Sequence, residues 1–164
     1  VKKHNTTFLL VLGAVIAVVT LLGYRNFITP DKNKEGRGVP CINSFLPVPD
    51  NLHIHPELEI IINGKNVIIP ANIGIEPAGC HRVLHTHDTT GVIHVEPNFP
   101  QDFTLQDFMS LWGKPFSRNE LLDCRGKVEM SVDGSPSTEY GSLILKDKQK
   151  IRLECTAVDE ISEN

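Results

Sequence analysis

From Thr6 to Tyr24 the chain reads TTFLLVLGAVIAVVTLLGY, without a charge, and this run constrains everything that follows it. With Asn26, Phe27 and Ile28 as flank, it reaches the roughly 20 residues that a helix needs to cross a bilayer. Lys2 and Lys3 precede it, whereas Arg25, Asp31, Lys32, Lys34 and Glu35 behind it mix both signs. That slight bias keeps the N-terminal side inside and exports the remainder. A cleaved signal peptide would have a shorter apolar region, about 7 to 15 residues, ending in a small-x-small site. Leu21, Leu22, Gly23, Tyr24 and Arg25 offer no such site. A buried core helix would interrupt the run with polar positions at helical spacing. The expectation is an uncleaved single-pass anchor over residues 1–28. Both the anchor and the signal-peptide readings put the rest of the chain on the extracellular or periplasmic side.

A chain of 164 residues leaves room for one modest domain behind such an anchor. Residues 29–50, rich in Pro, Gly and mixed charge, read as a linker; 51–157 read as the domain and 158–164 as a tail. A net charge of -4 supplies no electrostatic footprint for nucleic acid. Twelve glycines and eleven prolines favour strands joined by turns over a helical bundle.

Local signals agree with that preference. His53 to Ile62, Asn63-Gly64 and Val67 to Ile69 read as a hairpin, since Asn-Gly supplies the two positive φ angles of a type I′ turn. Val83 to His87, Asp88-Thr89-Thr90-Gly91 and Val92 to Glu96 read as a second hairpin. Thr104 to Trp112 reads as a helix, with Thr104 and Asp107 as a cap and Leu105, Phe108, Met109 and Trp112 on one face; Gly113 and Pro115 end it. Val128, Met130 and Val132 before Asp133-Gly134, and Ile151, Leu153 and Cys155 near the end, alternate as strands do. The predicted class is α+β, a small mixed sheet of hairpins with one helix packed on it. The element order is similar to a β-grasp arrangement.

Five of the seven histidines, His53, His55, His85, His87 and His94, fall in two stretches, with His81 nearby. Strand side chains alternate between faces, so His53 and His55 share one face while Ile54, Leu58, Ile60 and Ile62 take the other. In the second hairpin, a turn centred on Thr89-Thr90 sets His85 opposite His94. A turn centred on Thr90-Gly91 sets His87 opposite His94 and His85 opposite Glu96. Either even-length register gathers His85, His87, His94 and Glu96 on one face, and opposed strand residues stand about 4.5–5.5 Å apart at Cβ. Two imidazoles so placed can reach one metal ion.

The competing reading is polar surface. Pro56 after His55 implies an edge or bulged strand, where exposed histidines are unremarkable. Facing imidazoles would also repel if both were protonated, a repulsion that a shared metal removes. Several imidazoles suit copper or zinc, whereas Ca²⁺ and Mg²⁺ want an oxygen-rich set that Asp88 and Glu96 alone do not supply. The affinity order favours copper over zinc. Asp88 and Cys80 are further candidate ligands. Cys41, Cys80, Cys124 and Cys155 form an even set in an exported domain, with three possible pairings, of which Cys41 with Cys80 and Cys124 with Cys155 is the expected one.

The stretches HIHPELEIIINGKNVIIPANIGI, CHRVLHTHDTTGVIHVEP and FTLQDFMSLWGKPF resemble a family of uncharacterised extracytoplasmic archaeal and bacterial proteins, across about two thirds of the chain. The family pattern has a His-x-His before the first hairpin, matched by His53 and His55, and a Cys before the histidine block, matched by Cys80. The resemblance implies one unified domain and assigns no activity. Similarity to cupins is weaker, because Glu96 stands too far after His87 for the cupin spacing. Three functional classes follow. One is a metal-binding module, as an accessory or subunit of a membrane metalloenzyme or in self-association. Another is a metal-dependent enzyme with Glu96 or Asp88 as general base. The last is a partner-binding domain without metal, using edge strands.

Overall fold

Apolar alternation builds the main sheet of the computed structural model, which describes residues 38–77 and 79–157. The expected anchor, 1–28, and the tail, 158–164, lie outside the described residues. Among the described residues no helix is long and apolar enough to cross a membrane.

The strands are β1 (Glu57–Ile62), β2 (Lys65–Val67), β3 (Leu84–His85), β4 (His94–Val95), β5 (Glu120–Leu121), β6 (Cys124–Val132), β7 (Ser135–Pro136) and β8 (Lys150–Ala157), with helix α1 (Leu105–Trp112) between β4 and β5. Six strands form a mixed sheet in the order β2-β1-β8-β6-β5, with β7 also paired to β6. β8 lies in the middle, parallel to β1 and antiparallel to β6. Ile151, Leu153 and Cys155 point into the core from it, beside Leu58 and Ile60 of β1 and Val128 and Met130 of β6. Two tight turns set the registers: Asn63-Gly64 and Asp133-Gly134 adopt positive φ at both positions, 50° and 74° in the first, 51° and 79° in the second. Those are the angles that a two-residue hairpin demands.

The helix forms where its periodicity and cap place it. The Thr104 hydroxyl accepts the Asp107 N–H, and the Asp107 carboxylate accepts the Thr104 N–H at 2.8 Å. Gly113 closes the other end in the left-handed conformation at φ 70°. Leu105, Phe108 and Met109 are buried in the same core cluster as β1, β6 and β8, so the helix supplies the second layer of the α+β domain.

Two expected strands are shorter than their sequence patterns. The run from His53 does not continue unbroken into β1: Pro56 has no N–H to give a ladder, and β1 begins at Glu57. The second hairpin pairs only Leu84 with Val95 and His85 with His94. Glu96 N–H also bonds to the Val83 carbonyl at 2.8 Å, and other backbone groups of the hairpin bond elsewhere. Thr86 N–H donates to the Ile73 carbonyl at 3.1 Å, the Gly91 carbonyl accepts Leu58 N–H at 2.9 Å, and Ile93 N–H donates to the Pro56 carbonyl at 2.9 Å. Gly91 is required there: it sits at φ 86°, and a Cβ would come within 2.3 Å of the Leu58 carbonyl oxygen.

Part of the stretch read as linker is packed on the domain. Val39 is only 2% exposed, Cys41 bridges Arg82, and the structure joins Cys41 to Cys80 and Cys124 to Cys155.

Candidate metal centre

The small sheet holds the histidines, and its geometry follows from strand alternation. β3 pairs with one side of β4, and Ile54 pairs with the other, its N–H and carbonyl bonded to Val95 at 3.1 and 3.0 Å. Val95 and Leu84 turn into the core, and Ile54 packs against it. Their neighbours, at odd offset, take the opposite face. β4 thus presents His94, with Glu96 just beyond it, between His85 on one flank and His53 and His55 on the other. The observed register centres the loop on Thr89-Thr90, the first of the two even registers.

Distances within the cluster are short. His85 Nε2 lies 3.2 Å from His87 Nε2. Glu96 Oε1 lies 2.9 Å from His53 Nε2, 3.3 Å from His94 Nδ1 and 3.8 Å from His85 Nε2. The His94 ring meets those of His87 and His55 edge-on, with centroids 4.5 and 4.7 Å away, and stacks on His85 at 5.3 Å. One donor atom from each of His85, His87, His94 and Glu96 lies within 4.8 Å of the others, and the same is true of His53, His55 and His94. The structure therefore brings all six residues singled out by alternation into one cluster.

His85 is the most constrained member. Its side chain is 1% exposed, and its Nδ1 stands 2.8 Å from the Arg82 carbonyl. A carbonyl only accepts, so Nδ1 carries the proton and Nε2 offers its lone pair to the cluster. This is the arrangement that orients a metal-binding imidazole through its other nitrogen. Arg82 is itself held: its N–H donates to the Gly74 carbonyl, its guanidinium to the Val39 carbonyl and the Glu76 carboxylate. The Cys41–Cys80 disulfide closes the same strip.

Between the paired histidines, Thr86 is fully buried and aimed the other way. Its hydroxyl donates to the Pro70 carbonyl at 2.8 Å and accepts the Ile73 N–H at 3.1 Å. On the outer flank, the Asp147 carboxylate accepts the His55 backbone N–H at 3.0 Å. Arg82, Thr86 and Asp147 escape a reading by pattern because their contacts come from distant segments. The polar Thr86 between two histidines of one face was the only local sign.

Burial is the main reason that His85 and His94 titrate below the usual imidazole range. For His94 the neighbouring charges of His87 and His55 add to it, and Glu96 opposes. For His85 the Arg82 hydrogen bond and Glu96 oppose, while His87 and His94 add to the depression. Neutral imidazole is the form that binds metal, so the shift keeps both rings competent further into acid. His94 Nδ1 is buried without a hydrogen-bond partner, which a metal ion would relieve.

Two candidate ligands do not join. Cys80 is consumed by its disulfide with Cys41 and has no thiolate to give. Asp88 turns to Thr90, accepting its N–H and its hydroxyl, and these bonds hold its carboxyl below the ordinary range. A cleft of about 570 Å³, lined by Leu58, Ile60, Ile69, Thr90, Gly91 and Arg152 among others, contains none of the cluster residues. The cluster could hold a metal ion, and the two disulfides fit an oxidising, extracytoplasmic compartment.

Comparison with models of protein families, with curated proteins and with solved structures finds no match to this chain.

Proposed function

We propose that this chain is a membrane-anchored, extracytoplasmic protein that binds a transition metal, copper or zinc, through His85, His87, His94 and Glu96. One observation carries the reading: the Nε2 atoms of His85 and His87 converge to 3.2 Å while the other nitrogen of His85 is committed to the Arg82 carbonyl. Without a metal, two such nitrogens share at most one proton. The donor set is rich in imidazole and holds one carboxylate, which suits copper or zinc better than Ca²⁺ or Mg²⁺. Copper is favoured over zinc by the general order of affinity. The uncharged run from Thr6 to Tyr24 supports the anchor, and delivery to, or membership of, a membrane metalloenzyme is the role it suits. The His-x-His, Cys and HTHDTTGVIHVE pattern supports membership of the extracytoplasmic family that it resembles. The parallel pairing of β1 with β8 at the sheet centre, with the helix between the flanking hairpins, supports a β-grasp-like arrangement.

The test is thermal unfolding of the full chain in detergent, titrated with Cu²⁺ or Zn²⁺. Binding to the native state alone adds about 2.7 kcal/mol at a free metal concentration 100 times the Kd. His85→Ala and His94→Ala should abolish most of that gain, and His81→Ala should keep it. A parent protein stabilised by neither metal would sink the reading.

A further inference from the structure

The donor atoms of this centre fall into two groups, and one metal ion uses only one of them. A zinc ion takes four ligands in a tetrahedron and Cu²⁺ holds its close ligands in a square plane, whereas five imidazoles and a carboxylate are gathered here. They do not surround a single point. His85 and His87 contact His94 from one flank, and His53 and His55 contact it from the other. The group of His85, His87, His94 and Glu96 and the group of His53, His55 and His94 each close to within 4.8 Å, with His94 as the shared member. A neutral imidazole that keeps one proton has one lone pair, so His94 can serve only one ion. Glu96 has no such limit. A carboxylate can ligate two ions, and its Oε1 already stands between the two groups, 2.9 Å from His53 Nε2 on one side and 3.3 Å from the buried His94 Nδ1 on the other.

We propose that the centre holds two metal ions side by side: an inner ion on His85, His87 and His94, and an outer ion on His53 and His55, with the Glu96 carboxylate bridging them. This inference rests on the metal-binding reading above. The two positions differ in access. His85 is 1% exposed, whereas the side chains of His53 and His55 are 40% and 39% exposed. The inner position is closed at His85 and open at His87, which is exposed, and the outer ion, with two imidazoles and one carboxylate oxygen, keeps positions open to solvent or to an exchanging ligand. Paired ions in two-metal sites stand about 3.5–4 Å apart, a span one carboxylate can bridge.

Equilibrium dialysis of the full chain in detergent against Cu²⁺, followed by electron paramagnetic resonance, tests the proposal. The expected count is two copper ions per chain. At one equivalent the spectrum should be that of isolated Cu²⁺, and at two it should broaden and lose intensity through coupling of neighbouring ions. The double variant H53A/H55A, altered only at half-exposed rings, should bind one ion with the isolated spectrum, and that retained ion also shows that it has folded. Glu96→Gln should lose the coupled spectrum. One ion in the parent, with H53A/H55A weakening it but leaving the count unchanged, overturns the pair and leaves the single metal centre standing. Two ions without coupling overturn the shared carboxylate, and no bound copper overturns both readings.

Discussion

The large sheet and the small histidine sheet solve the same problem in opposite ways. In the large sheet, the three long strands β1, β6 and β8, of six to nine residues, bury about every second side chain, so Ile151, Leu153, Val128 and Ile60 hold their own backbone in register. Each such side chain contributes about 1.5–3 kcal/mol when fully buried. In the small sheet, β3 and β4 are two residues each, and one of their faces is given to imidazoles. A ladder of two pairs is not stable alone. It is held instead from outside: by the Cys41–Cys80 disulfide, by Arg82 locked to Gly74 and Val39, by Thr86 tied to the 70–73 segment, and by Gly91 pressed on β1. A surface that spends its side chains on chemistry borrows its rigidity from neighbours.

The disulfides separate the two regions most sharply. They close sequence separations of 39 and 31 residues, and each constrains the unfolded chain by about 4 kcal/mol on loop-closure entropy. C41S/C80S and C124S/C155S should therefore lower stability by similar amounts in denaturant melts. Metal affinity should divide them: the first pair braces the histidine sheet and should weaken Cu²⁺ or Zn²⁺ binding, whereas the second braces the large sheet and should leave it within about twofold once stability is matched. Equal loss of affinity in both variants would erase the distinction.

A smaller effect is expected at Thr86. Thr86→Val keeps the shape and removes the hydroxyl, leaving the Pro70 carbonyl and the Ile73 N–H without that partner. The cost should be about 1–3 kcal/mol. Because Thr86 fixes the backbone between His85 and His87, metal affinity should also fall about 10-fold or more, as for other groups that orient ligands. A variant that melts earlier yet binds metal with parental affinity would confine Thr86 to the fold.

The smallest effect is in pH, measured on metal-free protein with chelator. Burial holds His85 below its ordinary value of 6.5 in the folded state. As pH falls below 6.5 the unfolded chain takes up the proton first, so stability is full above that pH and declines through the folded pKa. One histidine gives a slope of at most about 1.4 kcal/mol per pH unit. His85→Gln should make the decline between pH 7.5 and 5.5 shallower, leaving the share contributed by His94, which burial also holds below its ordinary value. An unchanged slope would show that His85 is not held neutral by the fold.

Periodicity and turn chemistry are local, and what they control was legible in the sequence. Asn63-Gly64 and Asp133-Gly134 turn where positive φ is cheap, Thr104 and Asp107 cap the helix, and alternation sorts His53, His55, His94 and Glu96 from Ile54 and Val95. Tertiary structure decided the rest. Nothing near Ile54 in sequence indicates that it pairs with Val95, which is what seats His53 and His55 beside His94. Nor does local sequence reveal that Arg82 presents its carbonyl to His85. A histidine's place on a strand face depends on its immediate neighbours. Which lone pair it offers, and to what, depends on partners tens of residues away, brought there only by burial of the core.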